Sequence, residues 1–318
     1  MAKRILVALG GNAIKKREEK GTAKEQFRNC RKTCKSLASI ISKMAKDDRL
    51  IITHGNGPQV GNLMLQQEEA RRIIPPQPLD VVIAMTQGQI GYMLQQTLIN
   101  CLRKRGIDKS VCTILNEVIV ARSVEEADKP VGNLLTKEEV MTMKEEHPDY
   151  LFKKVYPKGK RVWRRVLSSP EPVVIVESEA IRRVVDCGVI VITSGGGGIP
   201  VILKNQSRLV GVEAIVDKDL AGERLAELVN ADIFLILTDI DKVKLDFGLS
   251  KERDLDVLSV SEAKKFLEEG YFPEGSMGPK VEACIRFLES GGKKAVIAPL
   301  DKASEALEGS AGTHIYLK

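Results

Sequence analysis

A chain of 318 residues is long enough for one large domain or two ordinary ones, with a core buried on both sides of a sheet. Its 43% hydrophobic and 29% charged residues exclude a disordered polymer. The net charge of +6 is spread among interspersed acids, and one Trp, five Tyr and seven Phe provide little stacking surface, which argues against nucleic acid and leaves small anionic ligands compatible. No run of about 18 apolar residues exists, so no transmembrane helix is expected. The opening "MAKRILVALGGNA" is too short and too glycine-broken for a secretory signal and reads as a strand, so a cytosolic location is expected. The cysteines, Cys30, Cys34, Cys101, Cys112, Cys187 and Cys284, form no CxxC pair and no zinc spacing, and are expected to be buried or half-buried free thiols.

In chain order, "RILVALG" is an apolar strand, followed by a helix in which Phe27, Cys30, Cys34, Leu37, Ile41 and Met44 recur at helical spacing. "RLIITHGNGP" is a strand ending in glycines, followed by the helical "VGNLMLQQEEARRI". The Pro-rich "PPQPLD" then leads to a long helix around "VVIAMTQGQIGYMLQQTLINCLRKRG". "SVCTILNEVIV" reads as one further strand. Residues 123–168 break the rhythm: they are polar and rich in Lys and Arg, with two strands in "YLFKKVYPKGKRVWRRVL" joined at "PKGK". This stretch is expected to leave the main sheet as a small lid. Three later runs, "GVIVITSGGGG", "ADIFLILTD" and "KKAVIAPL", have the composition of strands buried on both faces of a parallel sheet, and each adjoins a helix. The fold class is α/β.

In such a sheet, ligands bind beyond the carboxyl ends of the strands. Three strands here end in glycines: Gly10 and Gly11, Gly55 and Gly57, and Gly195 to Gly198. Glycine lets backbone N–H groups approach an anion, although tight strand-to-helix turns need it regardless. The chain has no GxxxxGK[ST], no GxGxxG after a strand and no GxSxG. His54, His147 and His314 are not spaced as a metal cluster or triad, and His54 reads as a packed strand-end residue. What remains is glycines, lysines and aspartates, an inventory suited to phosphoryl transfer, which needs positioning and charge neutralisation more than a covalent catalyst.

The motifs "ALGGNA", "THGNGPQVG", "MTQGQIGYM", "KPVG", "TSGGGGIPV", "GVEAIVDKDLAGE", "LTDID" and "GSMGPKVEA" occur in order along nearly the whole chain, which resembles the carbamate kinases of the amino acid kinase family. The resemblance implies an open αβα sandwich around a mainly parallel sheet, a protruding subdomain and a homodimer. The implied reaction is reversible transfer between ATP and carbamate, giving ADP and carbamoyl phosphate, with Mg²⁺ held mainly by the nucleotide phosphates. By position in the motifs, the resemblance implies that Lys218 neutralises the migrating phosphoryl group and Asp219 orients the lysines. It further implies that Lys280 contacts nucleotide phosphates, that Lys129 reaches in from the lid, and that Arg164 serves as the lid arginine. Gly10, Gly11 and Asn12 would line the phosphoryl site; Gly55, Asn56 and Gly57 would take the carbamoyl end, closed by Gly195, Gly196, Gly197 and Gly198. Asp217, Thr238, Asp239, Gly275, Ser276 and Met277 would lie along the nucleotide. The chain departs from the usual pattern before Lys129, where it reads "EADKPVG", and at Val162, where glycine is usual. Two other readings are a sister kinase acting on another small acid or a nucleotide, and a non-catalytic nucleotide-binding regulator.

Overall fold

The computed structural model describes residues 2–16, 18–121, 129–272 and 277–318. Its first strand, β1 (Arg4–Leu9), shows why the apolar runs are uninterrupted. Successive side chains alternate between faces, and both faces are covered. Ile5, Val7 and Leu9 pack with α1 (Ala23–Lys43), whereas Leu6 and Ala8 belong to a second core on the opposite face. Thr22 starts α1 with a reciprocal capping box to Glu25, satisfying backbone groups at its first turn.

The chain continues through β2 (Arg49–His54), α2 (Gly57–Ala70) and the long α3 (Leu79–Arg103). The run expected as one strand is two: β3 (Val111–Thr113) and β4 (Glu117–Val120) belong to different sheets. The break falls at Asn116, whose buried side chain is used elsewhere. The excursion contains β5 (Lys129–Leu135), α4 (Lys137–Glu146), β6 (Leu151–Lys154) and β7 (Trp163–Leu167). Its strands form a separate three-stranded antiparallel sheet in the order β5-β7-β6. Gly61 of α2 lies beneath it, where a Cβ would come within 3.2 Å of the Gly132 backbone.

Beyond the excursion come β8 (Pro172–Ile175), α5 (Ser178–Asp186), β9 (Ile190–Ile192), β10 (Ile199–Lys204) and β11 (Arg208–Gly211). The last third holds α6 (Lys218–Leu228), β12 (Ile233–Thr238), β13 (Val243–Leu245), β14 (Arg253–Leu255) and β15 (Val257–Ser259). It closes with α7 (Val260–Glu268), α8 (Met277–Glu289), β16 (Lys294–Pro299), α9 (Ala303–Glu308) and β17 (Thr313–Tyr316).

The main sheet has the order β15-β17-β16-β12-β1-β2-β9-β3 and is parallel from β16 to β3. Helices α1, α3 and α9 cover one face, and α5, α6, α7 and α8 the other. The expected α/β sandwich around a mainly parallel sheet is the observed architecture. Because β12, β1, β2 and β9 are parallel neighbours, their carboxyl ends share one edge, and the three glycine turns stand side by side there. Of the six thiols, Cys187 departs from expectation: it lies exposed at the end of α5, while the others are buried or half-buried.

Candidate active site

Helix α6 points its first turn at the glycine edge. Asp217 caps it, accepting the backbone N–H groups of Asp219 at 2.8 Å and Leu220 at 3.3 Å. The next residue, Lys218, lays its stem over Gly55, its Cδ 3.3 Å from where a Cβ on that glycine would be. Gly55 also faces Gly11, so β1, β2 and α6 meet where a larger residue would fill the space.

Asp219 is the centre of the arrangement. Its side chain is 3% exposed, and its two carboxylate oxygens take two ammonium groups: Lys218 at 2.5 Å and Lys280, from the first turn of α8, at 3.0 Å. A carboxylate so deeply buried is tolerated only when paired. Burial lowers the Lys218 pKa below its ordinary value and neighbouring Lys280 adds to this, while Asp219 opposes both. Lys129, at the start of β5, reaches Asp217 at 3.2 Å and Ser169 at 3.4 Å. For Asp217 burial alone would raise the pKa, but Lys129, Lys218 and the capped N–H groups outweigh it and the net shift is downward. Three lysines from β5, α6 and α8 are thus gathered on the carboxylates of Asp217 and Asp219.

The glycine turns show close backbone packing. Ser194, buried and in the left-handed region at φ 54°, donates its N–H to Asn116 at 2.7 Å. A Cβ on Gly195 would come 2.4 Å from the His54 ring, and one on Gly196, at φ +67°, 2.0 Å from the Asn56 amide. Asn56 is itself held by Thr86 at 2.9 Å. His54 is packed as expected: burial lowers its pKa to about 4, so the ring is neutral. At the neighbouring strand ends, Asn12 donates to Asp239 at 2.7 Å and Thr238 to the same carboxylate at 3.1 Å. Gly10 joins them through its N–H, bonded to Leu237 at 2.9 Å. Gly57 opens α2, beside the β2 turn.

Met277 opens α8, half-buried against the core. Gly275 and Ser276 lie outside the described residues. Arg164 sits on β7, its Nε buried without a hydrogen-bond partner among the described residues, and no ion pair among them joins it to the lysine–aspartate cluster. The neighbouring arginine of β7 that does pair outside this sheet is Arg165, which meets the half-exposed Glu213 at 2.7 Å. Sequence reading missed Arg165, Ser169 and Asn116. Only Asn116 left a signal, as a polar residue interrupting an apolar run.

Such a site can hold an anion with several negative oxygens between lysines and backbone N–H groups, and the carboxylates of Asp217, Asp219 and Asp239 are already paired or hydrogen-bonded. The amino acid kinase family model matches residues 3–299. A carbamate kinase of Pyrococcus furiosus is 50% identical over 320 residues, covering 99% of each chain. One from Clostridium perfringens is 45% identical, covering 98% of this chain and 99% of the relative. The structure of carbamate kinase from Giardia lamblia bound to AMP-PNP matches with a TM-score of 0.91 at 35% identity, covering 99% of this chain and 98% of that one. The chain belongs to the amino acid kinase family, among its carbamate kinases.

Proposed function

We infer that this protein catalyses reversible phosphoryl transfer between ATP and carbamate, giving ADP and carbamoyl phosphate, a phosphotransferase reaction with a carboxyl-type acceptor. The observation that carries this reading is the pair of ammonium groups, from α6 and α8, held on the buried Asp219 carboxylate at the glycine-lined sheet edge.

The chemistry explains why no general base is needed. In the ATP-forming direction an oxygen of the ADP β-phosphate attacks phosphorus, and the carbamate oxygen leaves with the bonding pair. Nucleophile and leaving group are both oxyanions, so no proton moves. The obstacle is bringing anion to anion. In our reading Lys218 follows the migrating phosphoryl group, Lys280 holds the nucleotide phosphates, and Lys129 closes on the carbamoyl phosphate from the lid. Asp219 keeps the first two aimed. Backbone N–H groups at Gly11 and Asn12 take the phosphoryl oxygens, Gly10 lines the same turn with its own N–H bonded to Leu237, and the turns at Gly55–Gly57 and Gly195–Gly198 enclose the carbamoyl end. Asp217, Thr238, Asp239 and Met277 border the nucleotide; Arg164 is assigned no step.

Mg²⁺ enters as part of the nucleotide substrate. This fits the donor set, because Asp219 is occupied by two lysines and Asp217 by a third. Among the described residues, the one three-ligand group of metal-binding type, Glu68, Glu146 and His147, belongs to α2 and the end of α4 instead. We assign the working direction to ATP synthesis, as in arginine degradation, because the mixed anhydride of carbamoyl phosphate is a strong phosphoryl donor. No helix among the described residues is long and apolar enough to cross a membrane, which is compatible with a cytoplasmic enzyme. A homodimer is part of the reading, and size-exclusion chromatography with light scattering tests it.

The deciding assay is ATP formation from Mg·ADP and carbamoyl phosphate, with acetyl phosphate as the control donor. Turnover with carbamoyl phosphate well above the control is expected. No ATP, or faster turnover with acetyl phosphate, overturns the reading.

A further inference from the structure

Lys129 stands on the small lid sheet, not on the main one, so its aim depends on how that sheet is held. Three contacts tie the lid to residues 213–217, the stretch that feeds directly into α6. Lys129 meets Asp217 at 3.2 Å, the Ile215 N–H donates to the Ser168 carbonyl at 3.0 Å, and Arg165 meets Glu213 at 2.7 Å. Arg165 lies on β7 opposite Val131, two positions along β5 from Lys129, which itself faces Leu167.

The arginine is held on both sides. It is 7% exposed, and its guanidinium carbon stands 3.4 Å from the centre of the Tyr150 ring. Tyr150 in turn stacks on His147 at 4.3 Å, and the adjacent Glu146 is tied to Arg71 of α2 at 2.9 Å. Burying a guanidinium in so small a sheet is costly, and apolar packing would serve stability as well. What an apolar residue could not do is fix the sheet's register against a carboxylate five residues before Lys218. A planar, always-charged fork stacked on an aromatic ring has that directional property.

We propose that Arg165, through Glu213, is a positioning residue that clamps the lid to the entry of α6 and so sets Lys129 over the path of the phosphoryl group. The proposal rests on the carbamate kinase reading above. It differs from that reading in naming a residue that touches neither substrate.

The test uses Arg165→Met, which removes charge at similar volume, and Glu213→Gln, which keeps shape and leaves the arginine on Tyr150. Both are made in the full chain and in a Lys129→Met background, with ATP formation followed by luciferase. Each single variant is expected to lower kcat about 10–100-fold, the scale of a reacting group displaced by an ångström, with ADP affinity changed less than about twofold. In the Lys129→Met background neither should lower kcat further. An equal additional loss in that background, parallel loss of ADP affinity, or wild-type kcat in both variants overturns the proposal. If Arg165→Met does not fold, Glu213→Gln decides through the same cycle. Should the unmutated chain form no ATP from carbamoyl phosphate, the reaction assignment fails by itself. The clamp is then judged by hydrogen exchange, with Glu213→Gln speeding the amides of β5 and sparing α6 if it exists, and leaving β5 unchanged if it does not.

Discussion

Replacing Asp219 with asparagine keeps the side-chain shape and removes the one charge shared by two lysines. Its carboxylate is 3% exposed, and the Lys218 and Lys280 side chains are 18% and 15% exposed. Removing one partner of a buried ion pair costs about 3–5 kcal/mol. Both ammonium groups retain some access to water, so a net loss of about 2–3 kcal/mol is expected after that relief. In a chain of this size the melting temperature should fall by roughly 3–5 °C. Nucleotide binding should go the other way. The β-phosphate of ADP supplies negative charge where the carboxylate was lost, so the dissociation constant for Mg·ADP should be unchanged or smaller. Turnover should fall by about 10²–10³, because the lysines are no longer aimed at the migrating phosphoryl group. The assay pairs coupled ATP formation with calorimetric titration of ADP and a thermal melt. Turnover within about tenfold of wild type, or ADP affinity lost in step with turnover, would refute the role given to Asp219.

Three further outcomes follow from other parts of the site and core. Burial, with Lys280 adding to it and Asp219 opposing, holds Lys218 below its ordinary value of 10.5, so kcat/KM for carbamoyl phosphate should decline on an alkaline limb below that pH. A limb centred at or above the ordinary lysine value would contradict this. Burial raises Glu223 on α6 from 4.5 to about 7 against the pull of Arg224, so the folded chain holds that proton more tightly than the unfolded one. Stability from this group is greatest below the unfolded value, declines as pH rises to the folded one, and stays lower above it. Glu223→Gln, a neutral mimic, should therefore stabilise the protein by on the order of 3 kcal/mol at pH 8 and by little at pH 4, read from denaturant melts; equal effects at both pH values would sink the idea. Gly196→Ala would force a Cβ to within 2.0 Å of the Asn56 amide at φ +67°, and should cost about 2–4 kcal/mol. A melting temperature within about 2 °C of wild type would show that the turn yields more easily than its packing implies.

The sheet was legible because its physics is written residue by residue. Strands covered on both faces must be apolar along their buried middles, and residues 5–9 of β1, 50–52 of β2, 233–237 of β12 and 295–298 of β16 are. The glycine ends could be read for a similar reason, since a Cβ at Gly195 or Gly196 has nowhere to go. Where reading failed, the deciding contact was distant in sequence. The run from Val111 to Val120 looks continuous, yet Asn116 divides it, because its side chain accepts the N–H of Ser194, 78 residues away. Strand β5 was hidden in "KPVGNLL", whose proline and glycine suit a loop. It pairs with β7 alone at the edge of its sheet, where a missing N–H is tolerated.

The two adjacent arginines of β7 show the limit most sharply. On a strand, neighbouring side chains point to opposite faces, so a register shift of one residue exchanges their roles. Chemically Arg164 and Arg165 are identical, and the motif resemblance marked the first. What separates them is the pairing that sets Arg165 opposite Val131 and Phe152, over the Tyr150 ring and towards Glu213. That pairing is fixed by the packing of the whole excursion against α2 and the entry to α6, and by nothing in the dipeptide itself. The lysines of the main site escape this ambiguity. Lys218 is placed by the Asp217 cap and the first helical turn, which are local, whereas Lys129 inherits its aim from a sheet whose register must be clamped from outside. The residues that do the clamping are therefore the ones a linear reading is least able to find.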